Sequence, residues 1–426
     1  MIWRTRIKNK FFKMNFKSRK FIPTVLLSII LAAAACQQPE ATKQIVRPSS
    51  LRDVPAQRLS YRYEPDVPPP TDAVQINQQQ KLTAIQADFD QNRPQDTLYK
   101  TVLSPDKQRV LAIFNRATDE KQEYRMDLYD ASGKLIRKIT PEGLSLVFPD
   151  IASWSPNSET VAFTGSRRVS TQSQEIVQEA PTPPSLEDEN QNAATTDSPA
   201  ATTASPVPNA PVMTFRTEQI YLVNREGADL KPLTQKEGLI YFYFAWSPDG
   251  AMLAALAAKE NEWQAMETQA ASRGELLRPL GRPRLLEKNG RERLLDDNLS
   301  DVHPVFSPDS SKAAIAYRTD VRIYDAVGNQ PSSAAIPLQV QLLTSSQAFD
   351  DKQKGQIAPA NNAPVTTLPS AQPPASFNPI VALRWSQDDA LYLQTGYVKD
   401  FGSGELVRSF MRWHKLNLSP QGAVLN

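Results

Sequence analysis

The chain has 426 residues, 40% of them hydrophobic, with 48 Lys and Arg against 46 Asp and Glu, a formal net charge of +2. Beyond the first 35 residues nothing in the sequence looks like the clustered basic face that a nucleic-acid partner would need, and none is expected. The single cysteine, Cys36, excludes a disulfide framework, and the fold must be held by its core.

The first 35 residues hold eight Lys or Arg and no acid. The apolar stretch Phe21–Ala35, broken only by Thr24 and Ser28, is about fifteen residues long, short of the about 20 that a membrane span needs. A basic start, a short apolar run and small residues describe a secretory signal peptide over 1–35, with Met14 as a second start of ordinary length. Cys36 directly follows Ala32–Ala35, which resembles a bacterial lipoprotein lipobox. The resemblance implies cleavage before Cys36, lipidation of that residue, and attachment to a membrane. Ala33 stands where that family prefers Leu, and Ala33-Ala34-Ala35 also suits an ordinary signal peptidase. Gln37 in place of Asp leans toward the outer membrane, where the cell has one. Removing the eight basic residues leaves 40 positive against 46 negative charges, or −6, so the basic balance belongs to the export signal. Residues 36–75 are rich in Gln and Pro, ending at Pro68-Pro69-Pro70, and read as an extended tether.

Residues 76–97 supply a short strand or helix from Ile76 and Leu82–Phe89. They are expected to close the ring described next, or to belong to a cryptic sixth unit.

From about residue 98, one arrangement recurs. A large apolar residue precedes a polar turn at Leu103-Ser104-Pro105-Asp106, Trp154-Ser155-Pro156-Asn157, Trp246-Ser247-Pro248-Asp249, Phe306-Ser307-Pro308-Asp309 and, degraded, Trp385-Ser386-Gln387-Asp388. Ser at the first position, Pro at the second and Gly250 at the fourth suit a type I turn. An apolar strand follows each turn, and strand-plus-turn segments follow again at Asp130–Gly133, Asn224–Gly227, Glu287–Gly290 and Asp325–Gly328. Three units then reach an apolar–Thr pair: Ile139-Thr140, Leu233-Thr234 and Leu343-Thr344. The serines are 51, 92, 60 and 79 residues apart. Without low-complexity inserts at 170–212 and 345–376, the second and fourth spacings fall to 49 and 47. A period of about fifty residues with four strands is that of a propeller blade.

These motifs, above all IYLVNREGADLKPLT…FAWSPDGAMLAAL, resemble the TolB-type (WD40-like, PD40) β-propeller repeat over residues 98–426. The resemblance implies an all-β propeller of five readable four-stranded blades, with six as the alternative, occupying 76–426. It also implies binding through the channel mouth or a blade rim. The second domain of TolB proteins is not visible.

The repeated Trp is expected between adjacent blades. The inserts are Pro-, Thr- and acid-rich and are expected to stay unpacked. Trp263, Met266 and Ala270 fit helical spacing within 259–280, predicting a short rim helix. Five residues fall in matching slots near the starts of inner strands and form the candidate polar ring at the channel mouth: Asp150, Tyr241, Tyr243, Asp301 and His303. His414 lies in a late strand with no partner legible. No metal site, cofactor motif or catalytic constellation is readable, and no G-x-S-x-G elbow or Walker loop occurs. The expected function is a non-enzymatic platform for envelope proteins, on the periplasmic side of a membrane. The alternatives are a propeller hydrolase or lyase acting on an envelope polysaccharide, or a glycan-binding module. A metal at His303 with Asp150 or Asp301 would mark the enzyme.

Overall fold

A computed structural model describes residues 51–71, 81–117, 122–167, 217–328, 331–356, 376–400 and 407–421. The signal-like segment, Cys36 and the first insert lie outside the described residues. Within them the apolar runs form five antiparallel blades of four strands, the first two joined into one sheet where Tyr124 pairs with Leu146. Blade 1 is Asp96–Leu103, Arg109–Ala117, Gln122–Asp130 and Leu135–Lys138. Blade 2 is Leu144–Val147 continued by Ser153–Trp154, then Thr160–Arg167, Gln219–Asn224 and Lys231–Pro232. Blade 3 is Leu239–Trp246, Met252–Lys259, Arg282–Glu287 and Glu292–Leu294. Blade 4 is Val305–Phe306, Lys312–Tyr317, Asp320–Asp325 and Ser333–Pro337. Blade 5 is Ile380–Gln387, Ala390–Asp400 and Val407–Pro420, with Leu59–Glu64 as its outer strand.

The second strand of blade 3 is apolar on both faces because that blade is packed on both sides. Met252–Ala258 is buried throughout. Leu253, Ala255 and Ala257 meet blade 2, while Leu256 and Ala258 meet the blade 4 side. Every such Leu or Val taken out of water contributes about 2 kcal/mol. Trp154 and Trp385 are in the inter-blade cores and Trp246 packs against one, as the repeat predicts.

The recurrent turn has a physical reason for its serine. Ser104, Ser155, Ser247 and Ser307 are buried, and each accepts the backbone N–H five residues on, at 2.9–3.0 Å. Each donates to the acid or amide two residues on, at 2.5–2.7 Å. The fourth turn residue is left-handed throughout: Lys107, Ser158, Gly250 and Ser310 have φ of 61–67°. Two of these residues also tie blades together. Asp106 donates its N–H to Ser158 Oγ and Asp249 donates to Ser310 Oγ, both at 3.0 Å. Gly250 has no hydroxyl with which to repeat this between blades 2 and 3. The apolar–Thr pair has a similar logic: Thr140 and Thr234 accept the N–H of Met126 and Ile220.

Closure departs from the sequence expectation. The strand that completes blade 5 is Leu59–Glu64, inside the stretch read as tether, paired from Leu59↔Pro420 to Glu64↔Lys415. Its alternation is short: Leu59, Tyr61 and Tyr63 share one face, amid Gln, Arg and Pro that dominate the composition. The preceding Leu51, Val54 and Ala56 enter the core between blades 4 and 5. A buried ion pair fixes them. Lys312 Nζ lies 3.1 Å from Asp325 Oδ1 and donates to the Arg52 carbonyl. Ala56 N–H donates to the same Asp325 oxygen at 3.0 Å, and Ser332 satisfies the other.

Residues 76–97 do not close the ring. Thr83–Asn92 is a helix, α1, whose Ile85 and Phe89 cover the blade 1 face formed by Leu98, Val110 and Phe114. A second helix, α2 (Glu260–Arg273), bears out the expected rim helix, with Trp263 buried against Phe242 and Phe148. A third, α3 (Gln339–Gln356), occupies the start of the stretch expected to stay unpacked. It buries Leu342, and Asn378 donates to the Leu342 carbonyl. Leu343-Thr344 therefore belongs to a helix and not to a fourth copy of the apolar–Thr pair. No helix among the described residues is long and apolar enough to cross a membrane.

His414, expected to be partnerless, is fully buried and holds the end of the closing segment. The N–H of Asp66 (3.2 Å) and the Tyr63 hydroxyl (2.9 Å) meet Nδ1, so Nδ1 is the acceptor and Nε2–H donates to Thr395 Oγ1 at 2.9 Å. Arg412 beside it grips Asp66 with two 2.7 Å bonds.

Two outcomes follow from closure. Lys312→Met leaves Asp325 buried without its cation and should cost about 3 kcal/mol in denaturant unfolding, as expected for a broken buried pair. Burial, reinforced by Arg412, lowers the His414 pKa to about 4. An unfolded His titrates near 6.5, so the unfolded chain binds more protons between pH 6.5 and 4. Stability should fall as pH drops through that window, by up to about 3 kcal/mol, and His414→Gln should flatten that slope.

Candidate functional site

In a propeller the inner strands line the channel, and their first residues sit at one mouth. Alignment on the turn serine places Lys100, Ile151, Tyr243, His303 and Ala382 in one slot, four residues ahead of it. Antiparallel pairing puts the ends of the second strands at this same mouth. The chain leaves blade 3 there for α2.

Tyr243 and His303 come together. Their rings stack at 3.6 Å with 9° between planes, bridging blades 3 and 4. Tyr243 is half-buried against the cluster around Trp263, while His303 keeps an exposed edge. Burial lowers the His303 pKa from its ordinary value, opposed by Asp301 nearby. The imidazole is therefore neutral near pH 7. Burial raises the Tyr243 phenol, opposed by the Arg384 guanidinium. Arg384 stands two residues before the blade 5 turn and is exposed, so it brings a cation within electrostatic reach of the stack.

Asp150 is at the mouth but in a separate group. It sits in a 3₁₀ turn, Pro149–Ile151, set off by Phe148 in a left-handed conformation. Tyr99 Oη donates to both of its carboxylate oxygens, at 3.0 and 3.2 Å. Lys100 Nζ donates to its carbonyl at 3.0 Å and lies 3.4 Å from Oδ1. Burial lowers the Lys100 pKa, and Asp150 opposes the shift.

Tyr241 does not belong to the ring of mouth residues. It is fully buried between blades 2 and 3, its hydroxyl donating to Glu292 Oε1 at 3.0 Å and its carbonyl accepting from Thr164. A bulge between Tyr241 and Tyr243 changes the register, and spacing alone could not reveal it. Asp301 is exposed beside His303. Sequence reasoning missed Lys100, Tyr99 and Arg384. Slot alignment would have found Lys100, but Arg384 needed the blades in place. Among the described residues, no group of three or more His, Cys, Asp or Glu side chains is arranged to hold a metal ion.

No known family profile matches the chain, and no curated protein does. Solved structures are similar in fold. An oligogalacturonate lyase in complex with manganese is 12% identical, over 75% of this chain and 65% of that one, with a TM-score of 0.33. The propeller domain of the trilobed protease of Pyrococcus furiosus is 9% identical, over 74% and 71%, at 0.32. Dipeptidyl peptidase 4 of Porphyromonas gingivalis is 9% identical, over 74% of this chain but 46% of its own length, at 0.33. These are enzymes or domains of enzymes, and they overturn the expectation that the chain is not an enzyme. At this identity the likeness is one of fold, and manganese and peptide substrates belong to those proteins.

The stack makes a measurable claim about His303. In an NMR titration Tyr243→Ala should move its pKa up toward 6.5 as water reaches the ring. Asp301→Asn should move it further down.

Proposed function

We propose that this chain is an exported, lipid-anchored β-propeller that takes an acidic glycan of the cell envelope in its channel mouth. The observation that carries this reading is the flat Tyr243–His303 stack with Arg384 in reach. Sugar rings pack on aromatic faces through their C–H surfaces. A guanidinium pairs with a carboxylate more strongly than a neutral donor does. The export signal, Cys36 as lipidation site and the TolB-type character of the repeats are the sequence's contribution to this reading. Part of residues 36–75 serves as a tether that ends where Leu51 enters the propeller.

A second reading on the same ligand is bond cleavage by elimination. A neutral imidazole suits it. His303 takes the proton from the carbon next to the carboxylate held by Arg384, the C–O bond one carbon further breaks to leave a C=C bond, and the Tyr243 phenol gives its proton to the departing oxygen.

Calorimetric titration with uronate disaccharides from alginate, against neutral dextran oligomers, tests the first reading. The uronate should bind, more weakly at high salt, and Tyr243→Ala or Arg384→Gln should cost about tenfold in affinity. Equal binding of the neutral sugar, or indifference to both variants, overturns it. A rise in ultraviolet absorbance on incubation, from the unsaturated product, would establish elimination.

A further inference from the structure

Four of the five seams of the ring are sealed by shared hydrophobic clusters: blades 1–2, 2–3, 3–4 and 4–5. No such cluster joins blade 5 to blade 1 among the described residues. The blade 1 face turned toward that seam is covered by α1. The opposing face of blade 5 keeps side chains that a neighbouring blade would bury. Val381 is 41% exposed and Met411 64% exposed. Tyr392, Trp413 and Lys415 are half-buried and Arg384 is exposed.

The register sets these side chains in order. Arg384 pairs with Tyr392, and Tyr392 with Lys415, so the three cross the sheet on one face from the inner strand to the third, where Glu64 of the outer strand stands opposite Lys415. Trp413 pairs with Gln394 and lies diagonally beside Tyr392. Lys415 Nζ sits 5.8 Å from the centre of the Tyr392 ring. The described side chains of this face carry Arg62, Arg384 and Lys415 against one carboxylate, Glu64, which Arg62 already pairs. The described face thus carries two aromatic rings and two cations not committed to a carboxylate. It begins at Arg384, the cation of the channel mouth.

We propose that this face is the track along which an acidic polysaccharide runs from the channel mouth to the rim of blade 5, successive sugars lying on Tyr392 and Trp413 and their carboxylates meeting Arg384 and Lys415. This rests on the reading of the mouth as an acidic-glycan site and extends it from one sugar to a chain. The charge of the face selects an anionic occupant. Aromatic rings on the face of a sheet suit sugar rings, whereas an extended peptide would add to an edge strand through its backbone.

The test compares alginate dimers with alginate chains of about ten sugars, enough to cross three strands at about 4.8 Å each. Binding to the full chain is read by calorimetry, with unfolding temperatures to confirm that each variant is folded. The longer chains should bind at least about tenfold tighter than the dimer. Lys415→Glu, and separately Trp413→Ala, should remove that gain and leave the dimer unchanged. Lys415→Glu is a surface change and keeps the test valid should Trp413→Ala unfold. Chains that bind no tighter than the dimer, or lose nothing in Lys415→Glu, overturn the track alone. Loss of dimer binding in Tyr243→Ala shows that the mouth reading stands in that case. A dimer that never binds overturns the mouth, and the track with it. Poly-glutamate that binds as tightly as alginate and is lost in Lys415→Glu overturns the glycan in favour of an acidic protein.

Discussion

The ring depends on a segment far from it in sequence being held by one buried ion pair. Lys312 and Asp325 come from adjacent strands of blade 4, and either alone would be an uncompensated buried charge. Their remaining hydrogen-bonding capacity is taken up by the backbone of residues 52 and 56 and by Ser332. The pair therefore does more than neutralise itself. It specifies where the chain enters the propeller, and the entry point sets the register of Leu59–Glu64 against the last strand. Blade 5 would otherwise expose the edge of Val407–Pro420, a template for unwanted strand pairing. The Asp66–Arg412 and His414 contacts fasten the other end of the same short strand.

Within this frame the blades differ in what they spend their inner strands on. Apolar residues at these positions seal seams, as Tyr241 and Phe244 do between blades 2 and 3. Polar residues at the mouth are split into two groups by the geometry of the bulges. Tyr99, Lys100 and Asp150 satisfy one another between blades 1 and 2 and lock that corner. Tyr243, His303 and Arg384 leave a neutral imidazole and a cation facing solvent, and this is the part of the mouth with capacity to spare.

The unsealed seam connects architecture to that capacity. A blade face is apolar because a neighbour covers it, and the blade 5 face is mixed because none among the described residues does. Tyr392 and Lys415 are what a solvated sheet face carries, yet the row starts at Arg384 in the channel. One residue thus takes part in both surfaces. The α1 helix is the reason that blade 1 can tolerate the gap: it supplies Ile85 and Phe89 where a sixth sheet would have stood.

Much was legible from the chain alone. The turn serine, its acid and the flanking apolar strands repeat because every blade solves the same burial problem, so five blades, the inter-blade Trp residues and the rim helix around Trp263 could be read directly. Tyr243 and His303 were legible as slot-mates. What the sequence left open depended on distance. Leu59–Glu64 has too few residues to stand out from a Gln- and Pro-rich stretch, and only the unpaired edge of Val407–Pro420 gives it strand identity. Tyr241 looked like its neighbour Tyr243 until a bulge turned it into the core. His414 had no visible partner because its partners, Tyr63 and Asp66, lie some 350 positions earlier. Local pattern set the blades, since strand and turn chemistry act over a few residues. Tertiary structure alone decided closure and the mouth, since those rest on pairings that no local pattern encodes.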